Sequence, residues 1–199
     1  MKADAFRSEL DFTVRIAGEG GDGVISCGEL FARAAARTEY HVFTYITYPA
    51  EIRGGISMIQ IRVRDWTIYS MGSRVDYLVV FNQDACDRYL SGLSKGGVVI
   101  FDPDHVRLPA NLNAIRVSIP FSKISIRETS SRLSKNIVAL GAVGGLFKME
   151  RSLLGRLIRE RYAHKGDAAV EKNLKALDAG YSMIVDSDLK GKYDLKAEE

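Results

Sequence analysis

Apolar positions along this chain fall into two kinds of pattern, and they change places near its middle. Phe12–Ala17 is a short apolar run that reads as a buried strand. Val24–Arg37 follows with Leu30, Phe31 and Ala34 on one helical face. His41–Tyr48 is aromatic and β-branched, which predicts a second strand. Pro49–Gly55 breaks the pattern and reads as a loop. Ser57–Val63 alternates, with Met58 and Gln60 opposed to Ile59, Ile61 and Val63, so a strand with two different faces is expected. Tyr77–Phe81 is continuously apolar, as in a central parallel strand. A short helix over Gln83–Leu93, a strand over Gly97–Phe101 and an edge strand over Ala114–Ile119 complete this half.

From Ser131 onward the period becomes helical. Leu133, Ile137, Leu140, Gly144 and Phe147 fit one face. Ala139, Gly141, Ala142, Gly144 and Gly145 are small for a helix interior, where each glycine costs about 1 kcal/mol relative to alanine. The run therefore predicts close backbone packing against a neighbour. Arg151–Tyr162 and Asp167–Tyr181 read as two further amphipathic helices. This order predicts an α/β fold: a mostly parallel, Rossmann-like sheet with helices on both faces and a helical C-terminal part. Residues 1–185 read as one domain, and 186–199 as a polar, extended or mobile tail.

Composition narrows the classes without naming one. The 199 residues are 46% hydrophobic and 27% charged, with a net charge of +3 and no basic block, so no nucleic-acid partner is expected. No window approaches 18 apolar residues, and the N-terminus lacks the apolar centre of a signal peptide, so neither a membrane span nor export is expected. Cys27 and Cys86 stand far apart with no partners at metal spacing, which suits reduced thiols in a cytoplasmic protein. Two thiolates cannot ligate an iron–sulfur cluster, so electron transfer through one requires another subunit.

The candidate chemistry lies at Gly18-Glu19-Gly20-Gly21-Asp22-Gly23-Val24, between the first strand and the first helix. Backbone N–H groups converge at a helix N-terminus and the helix dipole adds positive potential there, which is how a chain makes an anion site. Gly18, Gly20 and Gly23 fit G-x-G-x-x-G, a pattern that needs context. A dinucleotide site predicts an acid at the end of the second strand, and Phe43–Tyr48 has none. Asp22 places a carboxylate near any bound phosphate, or else orders the turn through backbone N–H groups. Three readings stay open on residues alone: a nicotinamide dinucleotide, a tight turn without ligand, and another phosphorylated ligand. In the second marked segment, Pro49–Gly55, Arg53 offers a planar guanidinium to a phosphate or carboxylate. Ser57 and Gln60 are candidates for the same crevice. No Ser/His/Asp set and no metal-ligand cluster is recognisable, so the chain reads as part of an enzyme with no catalytic residue of its own.

Five stretches together resemble the gamma subunit, or gamma domain, of the 2-oxoacid:ferredoxin oxidoreductases. They are Gly18–Val24; Gly28-Glu29-Leu30 with Ala34-Ala35; Tyr48-Pro49-Ala50-Glu51-Ile52-Arg53-Gly54-Gly55; Asn136-Ile137-Val138-Ala139-Leu140-Gly141; and Arg159-Glu160-Arg161 through Lys172–Ala176 to Ala179-Gly180-Tyr181. The similarity spans about residues 12 to 185 and is greatest to members of the 2-oxoglutarate type whose gamma domain is fused ahead of the alpha subunit. For this chain it implies a separate alpha polypeptide. The resemblance further implies oxidative decarboxylation of a 2-oxoacid to acyl-CoA with reduction of ferredoxin. Coenzyme A would meet this chain at Gly18, Glu19, Gly20, Gly21, Asp22, Gly23 and Val24, with Arg53 as a helper. Thiamine diphosphate, with magnesium, would be held by the alpha and beta subunits, and iron–sulfur clusters by the beta or delta subunits. The competing expectation is a stand-alone dinucleotide-binding or regulatory module without catalysis.

Overall fold

The computed structural model describes residues 10–50, 55–185, 187 and 194–195. It contains six strands, β1 (Asp11–Glu19), β2 (His41–Thr47), β3 (Ile56–Arg64), β4 (Val75–Val80), β5 (Leu93–Phe101) and β6 (Ile115–Ser118). The helices are α1 (Val24–Ala35), α2 (Gln83–Tyr89), α3 (Phe121–Thr129), α4 (Lys135–Leu146), α5 (Arg151–Tyr162) and α6 (Asp167–Val185). The strands form one sheet in the order β2-β3-β1-β4-β5-β6.

β1, β4, β5 and β6 run parallel. β3 is antiparallel to both β1 and β2, so it alone points the other way. The loop after β2 therefore returns the chain directly into the sheet beside β1, and five strand ends share the edge that carries the glycine-rich turn. The chain leaves β1 toward β2 and β3, and it leaves β4 toward β5 and β6. The β1/β4 boundary is thus the topological switch point, where open α/β sheets carry their ligand crevice.

Helices cover both faces unequally. Phe12, Val14 and Ile16 of β1, Ile59 and Ile61 of β3 and Tyr77 and Val79 of β4 share a core with α1, α3, α4, α5 and α6. The other face, with Ala17, Met58, Leu78 and Val80, packs α2 and the segment around Val106. This explains why β3 is buried from Ser57 to Ile61 on both of its faces, the two different faces that its alternation predicts meeting two different cores.

Two expectations fail in the helical half. The α3 helix lies over residues that carry no clear period, and Leu133 lies outside α4 and is 85% exposed rather than on its apolar face. α4 is buried all round from Asn136 to Leu146, so it has no polar side for a period to mark. Its small residues do meet a neighbour. A Cβ on Gly141 would press on the Leu177 carbonyl oxygen, and one on Gly180 on the Val138 carbonyl oxygen, so α4 and α6 cross backbone to backbone. At the end of α4, Phe147 stacks on Phe12 with ring centroids 4.7 Å apart and meets Tyr77 edge-on at the same distance.

Candidate anion site at the switch point

β1 delivers the glycine-rich turn to the switch point and α1 starts immediately beyond it. Gly23 is the residue before the helix, at φ 77°, and its carbonyl accepts the first helical bond from Cys27 N at 2.9 Å. No side chain caps this terminus. The first N–H groups of the helix, on Val24, Ile25 and Ser26, are those that no helical carbonyl can reach.

The glycines do different things. Gly18 is buried, and a side chain there would collide with Phe81 and with Val24. At Gly23 a side chain would collide with Asn136. Gly21, at φ 99°, has no atom within 4 Å of where its Cβ would be, so the turn is open on this side. Gly20 N donates to Gly55 O at 3.0 Å, which ties the segment entering β3 to the turn. Arg53 lies outside the described residues. Glu19 is exposed, while the Val24 side chain belongs to the core and leaves only its N–H to face a ligand.

Asp22 orders the turn. Its Oδ2 accepts from Glu19 N at 3.3 Å, and its own N–H donates to Glu19 O at 3.0 Å. Its Oδ1 lies 2.5 Å from Lys135 Nζ, an ion pair in which both side chains are about four-fifths buried, at 21% and 17% exposure. Lys135 is the first residue of α4, so the N-termini of α1 and α4 converge here. Its ammonium also stands 5.9 Å from the ring centroid of Phe81, the residue just beyond β4. Asn136 Nδ2 donates to Gly23 O at 3.3 Å, and its side chain also bonds the Tyr162 phenol. Arg161 braces α1 from outside, donating to Ser26 Oγ at 3.0 Å and pairing with Glu29 at 3.4 Å.

Lys135, Phe81 and Arg161 were not legible as site residues. A lone lysine in a polar stretch carries no period, although it directly precedes the Asn136–Gly141 stretch that does. Ser57 pairs with Gly18 at the end of β1, whereas Gln60 lies away from the turn. Ser57 is buried, and Gln60 faces the α2 side, where its Oε1 accepts from Arg15 at 2.6 Å and its Nε2 donates to Met71 O. The turns after β4 and β5 hold no free acid either. Asn82 caps α2 through Ala85 N, and buried Asp102 accepts from Ser122 N and Asp104 N. Burial pushes the Cys27 thiol up to about 12 and Cys86 to about 11, so neither is a thiolate at neutral pH. Among the described residues, no three His, Cys, Asp or Glu side chains come close enough to hold a metal, and no helix is long and apolar enough to cross a membrane.

A mostly parallel, Rossmann-like sheet with an uncapped helix N-terminus and a Lys135–Asp22 ion pair at its switch point defines the class of the chain as an open α/β domain. Residues 13–183 match the family described as pyruvate ferredoxin/flavodoxin oxidoreductase, and the chain belongs to that family. It is 33% identical over 174 residues to the 2-oxoglutarate synthase subunit KorC of Archaeoglobus fulgidus, covering 87% of this chain and 88% of that one. Its fold superposes with a TM-score of 0.86, at 31% identity, on the 2-oxoglutarate:ferredoxin oxidoreductase of Magnetococcus marinus with 2-oxoglutarate, coenzyme A and succinyl-CoA bound. That match takes in 95% of this chain and about a third (33%) of the other. The gamma subunit of a keto/oxoacid ferredoxin oxidoreductase from Geobacter sulfurreducens gives a TM-score of 0.77 at 27% identity, over 89% of this chain and 98% of that subunit. The resemblance read from the five sequence stretches is therefore correct.

Proposed function

We propose that this chain is the gamma-type subunit of a 2-oxoacid:ferredoxin oxidoreductase with 2-oxoglutarate as its substrate, and that it binds coenzyme A at the Gly18–Val24 turn. The reaction joins the acyl group of the 2-oxoacid to the coenzyme A thiol, releases carbon dioxide and passes two electrons to ferredoxin. The observation that carries the ligand assignment is the uncapped N-terminus of α1 beside Gly21, with clear space where a side chain would stand. Coenzyme A suits it because its phosphates need helix N–H donors and no acid for a nicotinamide ribose. The relatives support the same reading: one is named for 2-oxoglutarate synthase, and a structural neighbour has coenzyme A bound.

On this reading the chain does binding work. The turn and Lys135 fix the phosphate end of coenzyme A, which directs its thiol toward a partner subunit. Thiamine diphosphate, held there with magnesium, supplies the carbanion chemistry, and iron–sulfur clusters on partner subunits carry the electrons. What this chain contributes to rate is proximity: a thiol held at the acyl centre escapes the entropy cost of a bimolecular encounter. Arg53 remains a proposed second contact to the same phosphates.

Native purification of the tagged chain from its source cells, with mass spectrometry of what accompanies it, tests the assembly. Recovery of thiamine- and cluster-binding subunits is expected; recovery of the chain alone would overturn it. In the recovered complex, Gly21→Val puts a β-branched residue at positive φ across the open side of the turn. The Michaelis constant for coenzyme A should rise at least tenfold, about 1.4 kcal/mol, with a smaller change for the 2-oxoacid. An unchanged constant for coenzyme A would remove the turn from the site.

A further inference from the structure

The Lys135–Asp22 pair has a placement that packing alone does not require. Lysine at the first position of a helix faces the positive end of the dipole, which costs a few tenths of a kcal/mol or more. Asp22 sits just ahead of α1, where a carboxylate is favoured, but it stands in the turn that an anionic ligand must approach. The two meet at 2.5 Å, and about one-fifth of each side chain is still exposed. An ammonium carries three donors, and Asp22 Oδ1 occupies one of them. The Phe81 ring centroid lies 5.9 Å from the ammonium, just past the end of β4.

We propose that Lys135 is the specificity residue of this site: its ammonium bridges the Asp22 carboxylate and a phosphate of the ligand, and it distinguishes coenzyme A from thiols that lack phosphate. This rests on the assignment of coenzyme A to the turn and extends it to a residue on another helix. Asp22 then has two tasks. It shapes the turn through Glu19 N, and it holds Lys135 pointed at the phosphate position. Without the lysine, Asp22 would repel the ligand it lies beside.

The test measures binding of coenzyme A and of pantetheine, which has the same thiol arm without phosphates, by titration calorimetry on the complex that co-purifies with the chain. Charge-assisted hydrogen bonds are worth about 1.5–3 kcal/mol, so Lys135→Met should weaken coenzyme A by roughly ten- to a hundredfold. The ratio of coenzyme A to pantetheine affinity should fall by nearly the same factor, and the salt dependence of coenzyme A binding should become shallower. Lys135→Arg keeps charge and donors and should retain most of the affinity. Asp22→Asn with Lys135→Met should recover part of the loss, because no uncompensated carboxylate is left. An unchanged affinity ratio in Lys135→Met while Gly21→Val weakens coenzyme A would overturn the role of Lys135 and leave the turn assigned. No effect of either substitution would overturn both.

Discussion

Gly180 of α6 stands directly against the carbonyl of Val138 in α4, with no room for even a methyl group between the two backbones. Gly141 does the same from the other side, against Leu177. A buried helix can approach another this closely only where side chains are missing, and the glycines accept their helix cost for that contact. Alanine at position 180 restores helix propensity, yet it must push two buried helices apart. Gly180→Ala should therefore destabilise the chain by about 1–3 kcal/mol, against a gain of nearly 1 kcal/mol if the site were open. Thermal unfolding reads the sign: a lower midpoint is expected, and a higher one would mean that the helices do not touch here.

A second close contact couples the turn to α4. Asn136 fills the space that a side chain on Gly23 would need, and its amide donates to the Gly23 carbonyl. Gly23→Ala meets both a steric barrier and a positive φ, and should cost about 2–3 kcal/mol. Asn136→Ala loses its bonds to Gly23 and Tyr162, costing about 1–2 kcal/mol. It also clears the space, so the double variant should lose less than the sum of the two. Strict additivity in denaturant unfolding would contradict the contact.

Asp102 gives a third test. At 1% exposure it ends β5 and accepts from the backbone N–H groups of Ser122 and Asp104, so it holds both the turn and the start of α3. Asp102→Ala strands two donors and should cost about 2–4 kcal/mol, with α3 loosened first. Hydrogen exchange at Ser122 and Ile124 should accelerate well beyond exchange in β4. Uniform acceleration across the sheet would show that Asp102 supports the whole fold instead.

These three positions also show how far the sequence could be read. The first half was legible because glycine and proline punctuate it, as Gly18–Gly23 and Pro49–Gly55 do after the first two apolar runs. The small-residue run in α4 announced a close contact, although only the structure shows α6 as its partner. The antiparallel insertion of β3 has no local signal, since strand direction follows from which neighbour buries it. α3 was missed because its ends are fixed from a distance, by Asp102 twenty residues earlier. Lys135 was missed for the same reason: its partner, Asp22, is remote in sequence and adjacent only once α1 and α4 converge.

Cys27 is fully buried in α1, and desolvation pushes its thiol from 9.0 up to about 12. Cys86, also buried, is pushed up to about 11, by desolvation first and by Asp87 second. Burial raises the Tyr162 phenol in the same direction, partly offset by its bond from Asn136 and by Arg161. A thiol with a raised folded pKa favours the protonated, folded form. Its contribution is complete below about pH 9 and is lost as pH climbs toward 12, because the unfolded chain releases the proton first. Stability measured in urea should hold level from pH 7 to 8.5 and then fall, with each such group adding a slope of up to about 1.4 kcal/mol per pH unit. Cys27→Ala should be less stable at pH 8, through the lost sulfur contacts, and should show a shallower fall above pH 9. Iodoacetamide should leave both thiols of the folded chain unmodified at pH 8, since neither a thiolate nor access is available. Stability that stays flat to pH 10.5 in the parent chain, or an equal slope in Cys27→Ala, would contradict a buried neutral thiol behind the start of α1.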